Sequence, residues 1–287
     1  MMPNFFILGA PKCGTTSLVR WLETHRNIYF SPVKEPHYFC TDLANRVVKT
    51  EAAYRRLFDR AGPEHVAVGE ASTWYFYSQD AVANIMRATP EARFIVMTRN
   101  PVDMAWSLHH HNLRVLHEDT PDFARAWALQ DARRNGSNIP PDCLEPAFLQ
   151  YRQACALGAQ MARLLEQVPV AQVLHLSLDQ VRASPDRCYR VVLEFLSLPD
   201  DGRTEFPIAN IARGHRSPML QRLLKLGARM RLALGIQRGF GLARLNEKAK
   251  GKQALDPAVR KRLDQVFSED LAILNTQLRT LPDRRTS

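Results

Sequence analysis

The sequence predicts an α/β protein, a parallel sheet sandwiched between helices in three layers. Apolar runs of strand length recur at residues 4–8, 65–68, 93–98 and 172–176, and each leads through a polar turn into a stretch with helical spacing. That alternation is the one-dimensional trace of strand–crossover–strand units. With 287 residues, 45% hydrophobic and 24% charged, the chain also suits one large domain over residues 1–287 better than several small ones.

The first strand runs into the turn "GAPKCGTT" and a helix at 17–25. Helical spacing returns at 51–60 and 79–88, on either side of the second strand. The third strand, "RFIVMT", ends at "RNP", where Pro101 suits the first turn of a helix at 102–116. Helices follow at 123–134 and 147–167, separated by a loop at 136–146 that contains Pro140, Pro141 and Pro146. The fourth strand precedes a helix at 186–196, and a last helix occupies 257–278. No repeat, low-complexity tract or linker divides the chain.

Composition narrows the functional classes. The opening apolar run, residues 5–10, is short for a signal-peptide core and lacks a basic leader, and no window approaches the roughly 18 apolar residues of a membrane span. A cytoplasmic protein is the expectation. Five cysteines, odd in number and without a C-x-x-C pair, read as reduced thiols rather than a disulfide framework or a zinc site.

The net charge of +10 is concentrated: residues 211–252 hold eleven Lys or Arg against the single acid Glu247, and the rest of the chain sums to neutral. Such a block attracts something anionic. Within it Leu220, Leu223, Leu224, Leu226, Met230 and Leu234 alternate with Arg222, Lys225, Arg229 and Arg231, the pattern of a basic amphipathic helix. The plain expectation packs this helix on the core with a solvated cationic face. The sharper one rests it on an anionic membrane surface as a peripheral contact. Nucleic acid is not an expected partner.

Chemistry starts at the first turn. Gly9 and Gly14 let the backbone turn tightly, so that successive N–H groups and a helix N-terminus face one anion, with the hydroxyls of Thr15, Thr16 and Ser17 beside them. The spacing is that of the NTPase loop G-x-x-x-x-G-K-[ST]. Here, though, Thr15 stands where the lysine belongs and Lys12 precedes the glycine by two residues. No acid at the ends of "VMTRN" or "LHLSL" is placed for a magnesium ion, which argues against an ordinary NTPase.

Three motifs in order carry a resemblance. "PKCGTTSL" resembles the 5′-phosphosulfate loop of sulfotransferases that use 3′-phosphoadenosine 5′-phosphosulfate (PAPS), and "RFIVMTRNPVDMAWSLHHH" resembles their 3′-phosphate motif. "KEPHYF" is similar to the segment bearing the catalytic glutamate in heparan sulfate and related carbohydrate sulfotransferases, and "KGKQALDP" to the loop that closes over the donor. The resemblance implies a P-loop-type fold and sulfuryl transfer, with no metal, from PAPS to a glycan, glycolipid or small-molecule acceptor. A displaced lysine is then intelligible, because the cradled phosphate belongs to the leaving nucleotide.

On this reading Lys12 absorbs charge on the leaving oxygen, and the turn Cys13, Gly14, Thr15, Thr16 and Ser17 holds the 5′-phosphate, Cys13 through its backbone N–H and Thr16 doubling as a helix cap. Glu35 is the expected general base, since "KEPHYF" should return to the C-terminal edge of the sheet, and His37 shares or orients it. Arg99 and Ser107 grip the 3′-phosphate, and Lys250, Gly251 and Lys252 close over it. Ala71 stands where the carbohydrate enzymes often carry a lysine. Trp74, Tyr75 and Phe76 either wall an acceptor cleft or join the core. His109, His110 and His111 are expected to face a groove or solvent without a common ion, because adjacent helical residues point in different directions. Two competing readings stand beside this one: a P-loop nucleotide kinase, and a non-catalytic protein that binds sulfated glycans or other anions.

If the basic block binds membrane, the protein co-sediments with anionic but not neutral vesicles. Raising the salt concentration, or replacing Arg222, Lys225, Arg229 and Arg231 by glutamine, should abolish the preference. Sedimentation that ignores lipid charge leaves only the core-packed helix.

Overall fold

The computed structural model describes residues 1–208, 213–215, 247–249 and 254–282. Strand β1 (Phe5–Gly9) is buried at every position, as a central parallel strand covered on both faces must be. It sits in the middle of a five-stranded sheet of order β2-β3-β1-β4-β5, completed by β2 (Ile28–Phe30), β3 (Ala67–Ala71), β4 (Arg93–Thr98) and β5 (Val173–Ser177). All four pairings are parallel, with Phe5 opposite both Gly69 and Arg93. After β3 the chain crosses over β1 to reach β4, so a crevice opens at the C-terminal end of β1, where open α/β sheets bind ligands. A separate antiparallel pair joins β6 (Arg213–His215) to β7 (Glu247–Ala249).

The first helices are α1 (Thr15–Leu22), α2 (Glu51–Arg56), α3 (Ala81–Ala88) and α4 (Pro101–Val115). The last one starts as Pro101 predicts: proline takes the first turn, and Asn100 caps the N–H groups of Val102 and Asp103. Two expected helices are broken. Residues 123–134 form α5 (Phe123–Ala128) and α6 (Gln130–Arg134), which meet at Leu129. Residues 147–167 form a 3₁₀ turn (Pro146–Leu149), α7 (Tyr151–Ala154) and α8 (Leu157–Gln167). No glycine or proline marks these later breaks. They are held by buried glutamines: Gln150 donates to the Gln130 carbonyl at 3.0 Å, and Gln160 donates to Gln153 and Ala154 at 3.0 and 3.2 Å.

Three further helices follow: α9 (Leu178–Ala183), α10 (Pro185–Phe195) and α11 (Pro257–Leu278). The helix α11 supplies what α8 lacks locally. No side chain of α8 caps its N-terminus, but Asp270 accepts from the Gly158 and Ala159 N–H groups at 2.8 and 2.9 Å. A Cβ at Gly158 would lie 2.0 Å from the Asp270 carbonyl oxygen, so only glycine permits this approach. Among the described residues, no helix is long and apolar enough to cross a membrane. The basic amphipathic pattern at 220–234 lies outside the described residues.

Beyond α4, Glu118 and Arg133 form a fully buried bidentate pair, both contacts at 2.6 Å. The carboxylate also accepts from Tyr151 Oη–H at 2.8 Å and from the Asp119 and Thr120 N–H groups at 3.0 Å. Burial works against ionisation of Glu118, but these donors outweigh it and lower its pKa. The pair pins the turn leaving α4 to α6 and α7, and so fixes the helix that carries Ser107. Glu118→Ala leaves Arg133 buried without its counter-charge, and urea unfolding should show a loss of about 3–5 kcal/mol.

Candidate active site

The turn after β1 is built to receive an anion. Gly9 and Gly14 both have positive φ, +130° and +89°, which favours glycine at each. A Cβ at Gly9 would also collide with the Thr73 carbonyl, at 2.2 Å. The helix α1 begins at Thr15 with Gly14 as its N-cap and no side-chain cap bond; the Ser17 N–H returns to the Gly14 carbonyl at 3.0 Å, and the N–H groups before it face the turn. Thr16 is thus inside the helix rather than its cap. Cys13 is buried, and burial pushes its thiol up to about 12, so it contributes backbone only.

Lys12 has φ +67°, a costly conformation for a residue with a side chain. Its ammonium is lowered from 10.5 to about 8, first by burial and then by the charges of Arg114 and Arg99. Lys34 adds to the effect and Glu35 opposes it. Lys12 thus feels three further cations, with Glu35 as the opposing carboxylate. Arg99 follows β4, leans on the turn through Nη1 to the Lys12 carbonyl at 3.5 Å, and has a buried Nε without a partner among the described residues. Ser107 lies on α4, half-buried and nearly two turns beyond its start.

The same helix brings two further residues to the site: His111, which ends the 3′-phosphate motif but has no role assigned there, and Arg114, which lies beyond it. His111 is driven down to about 3 by burial first and then by Lys12 and Arg114, and Arg114 lies 3.2 Å from its Nδ1. Both follow Ser107 at intervals of three and four residues, and that spacing was the signal available. The three adjacent histidines do diverge, but not as expected. His109 is fully buried, with Nε2 2.9 Å from the Thr120 carbonyl, because its helix face packs on the core; His110 turns to the Trp106 carbonyl at 2.9 Å. Only His111 turns toward Lys12.

Opposite Lys12, the segment "KEPHYF" returns to the end of β3, where the Glu35 N–H donates to the Ala71 carbonyl at 3.1 Å. Glu35 and His37 both take positive φ, +60° and +50°. Lys34 Nζ bonds Glu35 Oε1 at 2.6 Å, and His37 Nε2 lies 3.3 Å from Oε2. Burial raises the Glu35 pKa, but the His37 hydrogen bond and the Lys34 charge outweigh it and hold the carboxyl at about 2. His37 is itself buried, and its Nδ1 has no partner among the described residues.

A cavity of about 520 Å³ opens beside this segment, between α1 and β2, lined by Thr16, Arg20, Glu23, Tyr29, Lys34 and Ala71 among others. Trp74, Tyr75 and Phe76 take no part in it. They are 7%, 0% and 1% exposed and belong to the core. Lys250, Gly251 and Lys252 lie outside the described residues.

A family model described as a sulfotransferase domain matches residues 2–275. The chain belongs to the sulfotransferase family. It is similar to a sulfotransferase from Alicyclobacillus acidocaldarius of known crystal structure, with 30% identity and a TM-score of 0.65 over 85% of this chain and 99% of that one. Its fold is also that of a mouse sulfotransferase solved in complex with PAP, at 12% identity and a TM-score of 0.53 over 96% and 86% of the two chains. In sequence it matches a bifunctional heparan sulfate N-deacetylase/N-sulfotransferase of Caenorhabditis elegans, 24% identical over 97% of this chain and 30% of that protein. The chain spans 26% to 30% of the length of the first curated relatives that it matches.

Membership in the sulfotransferase family displaces the kinase reading and agrees with a lysine set before, not after, the second glycine. Lys12 offers a direct test of the electrostatics. Its folded pKa lies below the unfolded value, so folding releases a proton between about pH 8 and 10.5, and the group's contribution to stability grows with pH across that window. Nitrogen-detected NMR should show one lysine titrating near pH 8 that vanishes in Lys12→Met. It should move upward in Arg114→Gln.

Proposed function

We propose that the protein transfers a sulfuryl group from PAPS to a hydroxyl or amine of a carbohydrate acceptor, free or lipid-linked, and releases adenosine 3′,5′-bisphosphate. The observation that carries this reading is a half-buried, low-pKa Lys12 among further cations at a helix N-terminus without a side-chain cap, with the ionised Glu35 nearby. The family supports PAPS as donor, and a relative named for heparan sulfate supports a carbohydrate acceptor.

Sulfuryl transfer is in-line and loose by analogy with phosphoryl transfer, so positioning and charge neutralisation do most of the catalysis. The acceptor oxygen or nitrogen attacks sulfur as the bond from sulfur to the 5′-phosphate oxygen breaks. Lys12 and the N–H groups of the Gly14–Thr16 turn stabilise the charge left on that phosphate, while Arg99 and Ser107 hold the 3′-phosphate. The acceptor proton passes to Glu35. His37 orients the base rather than replacing it, because its Nε2 is committed to Glu35 and its Nδ1 is buried. A carboxylate at about 2 is a weak base, and the Lys34 contact is one reason for it. The Lys34 side chain is 39% exposed and free to swing toward the donor, which would raise the Glu35 pKa as the acceptor arrives. The cavity beside Lys34, with Arg20, Glu23 and Tyr29, offers donors and acceptors suited to a sugar.

Adenosine 3′,5′-bisphosphate should raise the melting temperature while ATP with magnesium does little; equal shifts count against the reading. Arg99→Ala should weaken bisphosphate binding by about 2 kcal/mol. Glu35→Gln should leave that binding intact and lower transfer of labelled sulfuryl to unsulfated heparosan or chondroitin by about 100-fold or more. Full activity in Glu35→Gln sinks the base assignment.

A further inference from the structure

Glu70 is wholly buried on β3, next to Ala71, and no step above uses it. Its Oε1 accepts from Ser72 Oγ–H at 2.5 Å; its Oε2 accepts from Tyr75 Oη–H at 3.1 Å and from the Tyr54 hydroxyl of α2. A hydroxyl has one hydrogen, and here each is committed to the carboxylate, which leaves the oxygen lone pairs to face elsewhere. Ser72 Oγ accepts the His37 N–H at 3.1 Å, and Tyr75 Oη accepts the Phe39 N–H at 3.2 Å. Two backbone amides of the base-bearing segment thus end on one buried carboxylate, each through a single hydroxyl. The Glu35 N–H, bonded to the Ala71 carbonyl, adds a third tie to the same strand end.

These ties matter because Glu35 and His37 sit in left-handed backbone, which is costly for a residue with a side chain and persists only where the surroundings impose it. We propose that Glu70 is a positioning residue for sulfuryl transfer: through the hydroxyls of Ser72 and Tyr75 its carboxylate fixes the backbone of His37 and Phe39, and with it the aim of Glu35. Three hydroxyls direct their hydrogens at this carboxyl group. A glutamine at this position would present one N–H₂ where a hydroxyl now donates, so at least one hydroxyl would lose its acceptor or turn away from its backbone amide. Burial pushes Glu70 up to about 7 against its three O–H donors, and the groups facing it are Tyr54, Tyr75, Cys40 and Glu35.

The proposal rests on the sulfuryl-transfer reading for its kinetic consequence only, so the test has two independent arms. In the first, amide hydrogen exchange is followed in Glu70→Gln. Exchange at His37 and Phe39 should speed up by about tenfold, as for a lost hydrogen bond, while amides of β1 and β4 keep their protection. Unchanged exchange at both amides, or equal acceleration throughout the sheet, overturns the proposal.

In the second arm, transfer of labelled sulfuryl from PAPS to heparosan should fall by about 10–100-fold in kcat with KM for PAPS unchanged, as for a misaimed base. Glu70→Gln placed on the Ser72→Ala/Tyr75→Phe background should add little further loss, because the carboxylate acts through those hydroxyls. Additive losses, or wild-type kcat with only a lowered melting temperature, reduce Glu70 to a core residue. Should Glu35→Gln stay fully active while Glu70→Gln still frees the two amides, the base assignment fails and the anchor stands.

Discussion

Lys12 is a cation that the fold has largely removed from water and surrounded with other cations, and much of the site can be understood as what that requires. Desolvation and like charge both disfavour its protonated form. Neither is relieved by a fully balancing carboxylate, since Glu35 is shared with Lys34 and His37. The arrangement is stable because rigid elements impose it: β1 delivers the turn, the glycines allow its curvature, and Arg99 reaches across from β4 to hold the Lys12 carbonyl. An anion arriving there replaces lost water and relieves repulsion together, so the free protein stores part of its affinity as electrostatic tension.

The opposite wall is held by different means. Glu35 and His37 occupy backbone conformations that their side chains disfavour, and hydrogen bonds from the end of β3 compel them. Both walls hang from neighbouring strands, β1 and β3, whose parallel register sets their separation. A loop standing alone could not keep that distance. The buried pair of Glu118 and Arg133 does similar work for α4, the third wall, by fixing the turn into which it runs.

Much of this was legible in the sequence, unevenly. The strand over residues 93–98 and the helix over 257–278 have the expected bounds, and β1, β3 and β5 begin one or two residues later than the apolar runs suggest. The extra leading residues, Asn4, His65, Val66 and Gln172, are not buried, and pairing begins only where the sheet covers the chain. Strand β2 escaped because three residues at a sheet edge leave too short a pattern to read. The break at Gln150 escaped because its cause is distant: a side-chain bond to Gln130 leaves no local mark. The site divides in the same way. Glycines and a misplaced lysine announce the turn, whereas the role of Glu70 depends on the His37 and Phe39 amides, which lie far from it in sequence and meet the Ser72 and Tyr75 hydroxyls only once the chain has folded.

Cys13 lies in the middle of the anion-binding turn and yet is chemically silent. With its thiol at about 12, the thiolate is about one part in 10⁵ at neutral pH, and thiolate is the form that peroxide, disulfides and alkylating agents attack. Cys40, Cys155 and Cys188 are buried as well, which leaves Cys143 as the cysteine with intermediate exposure. Oxidants would therefore meet this turn without a redox handle, and a covalent inhibitor designed against it would find its obvious sulfur out of reach.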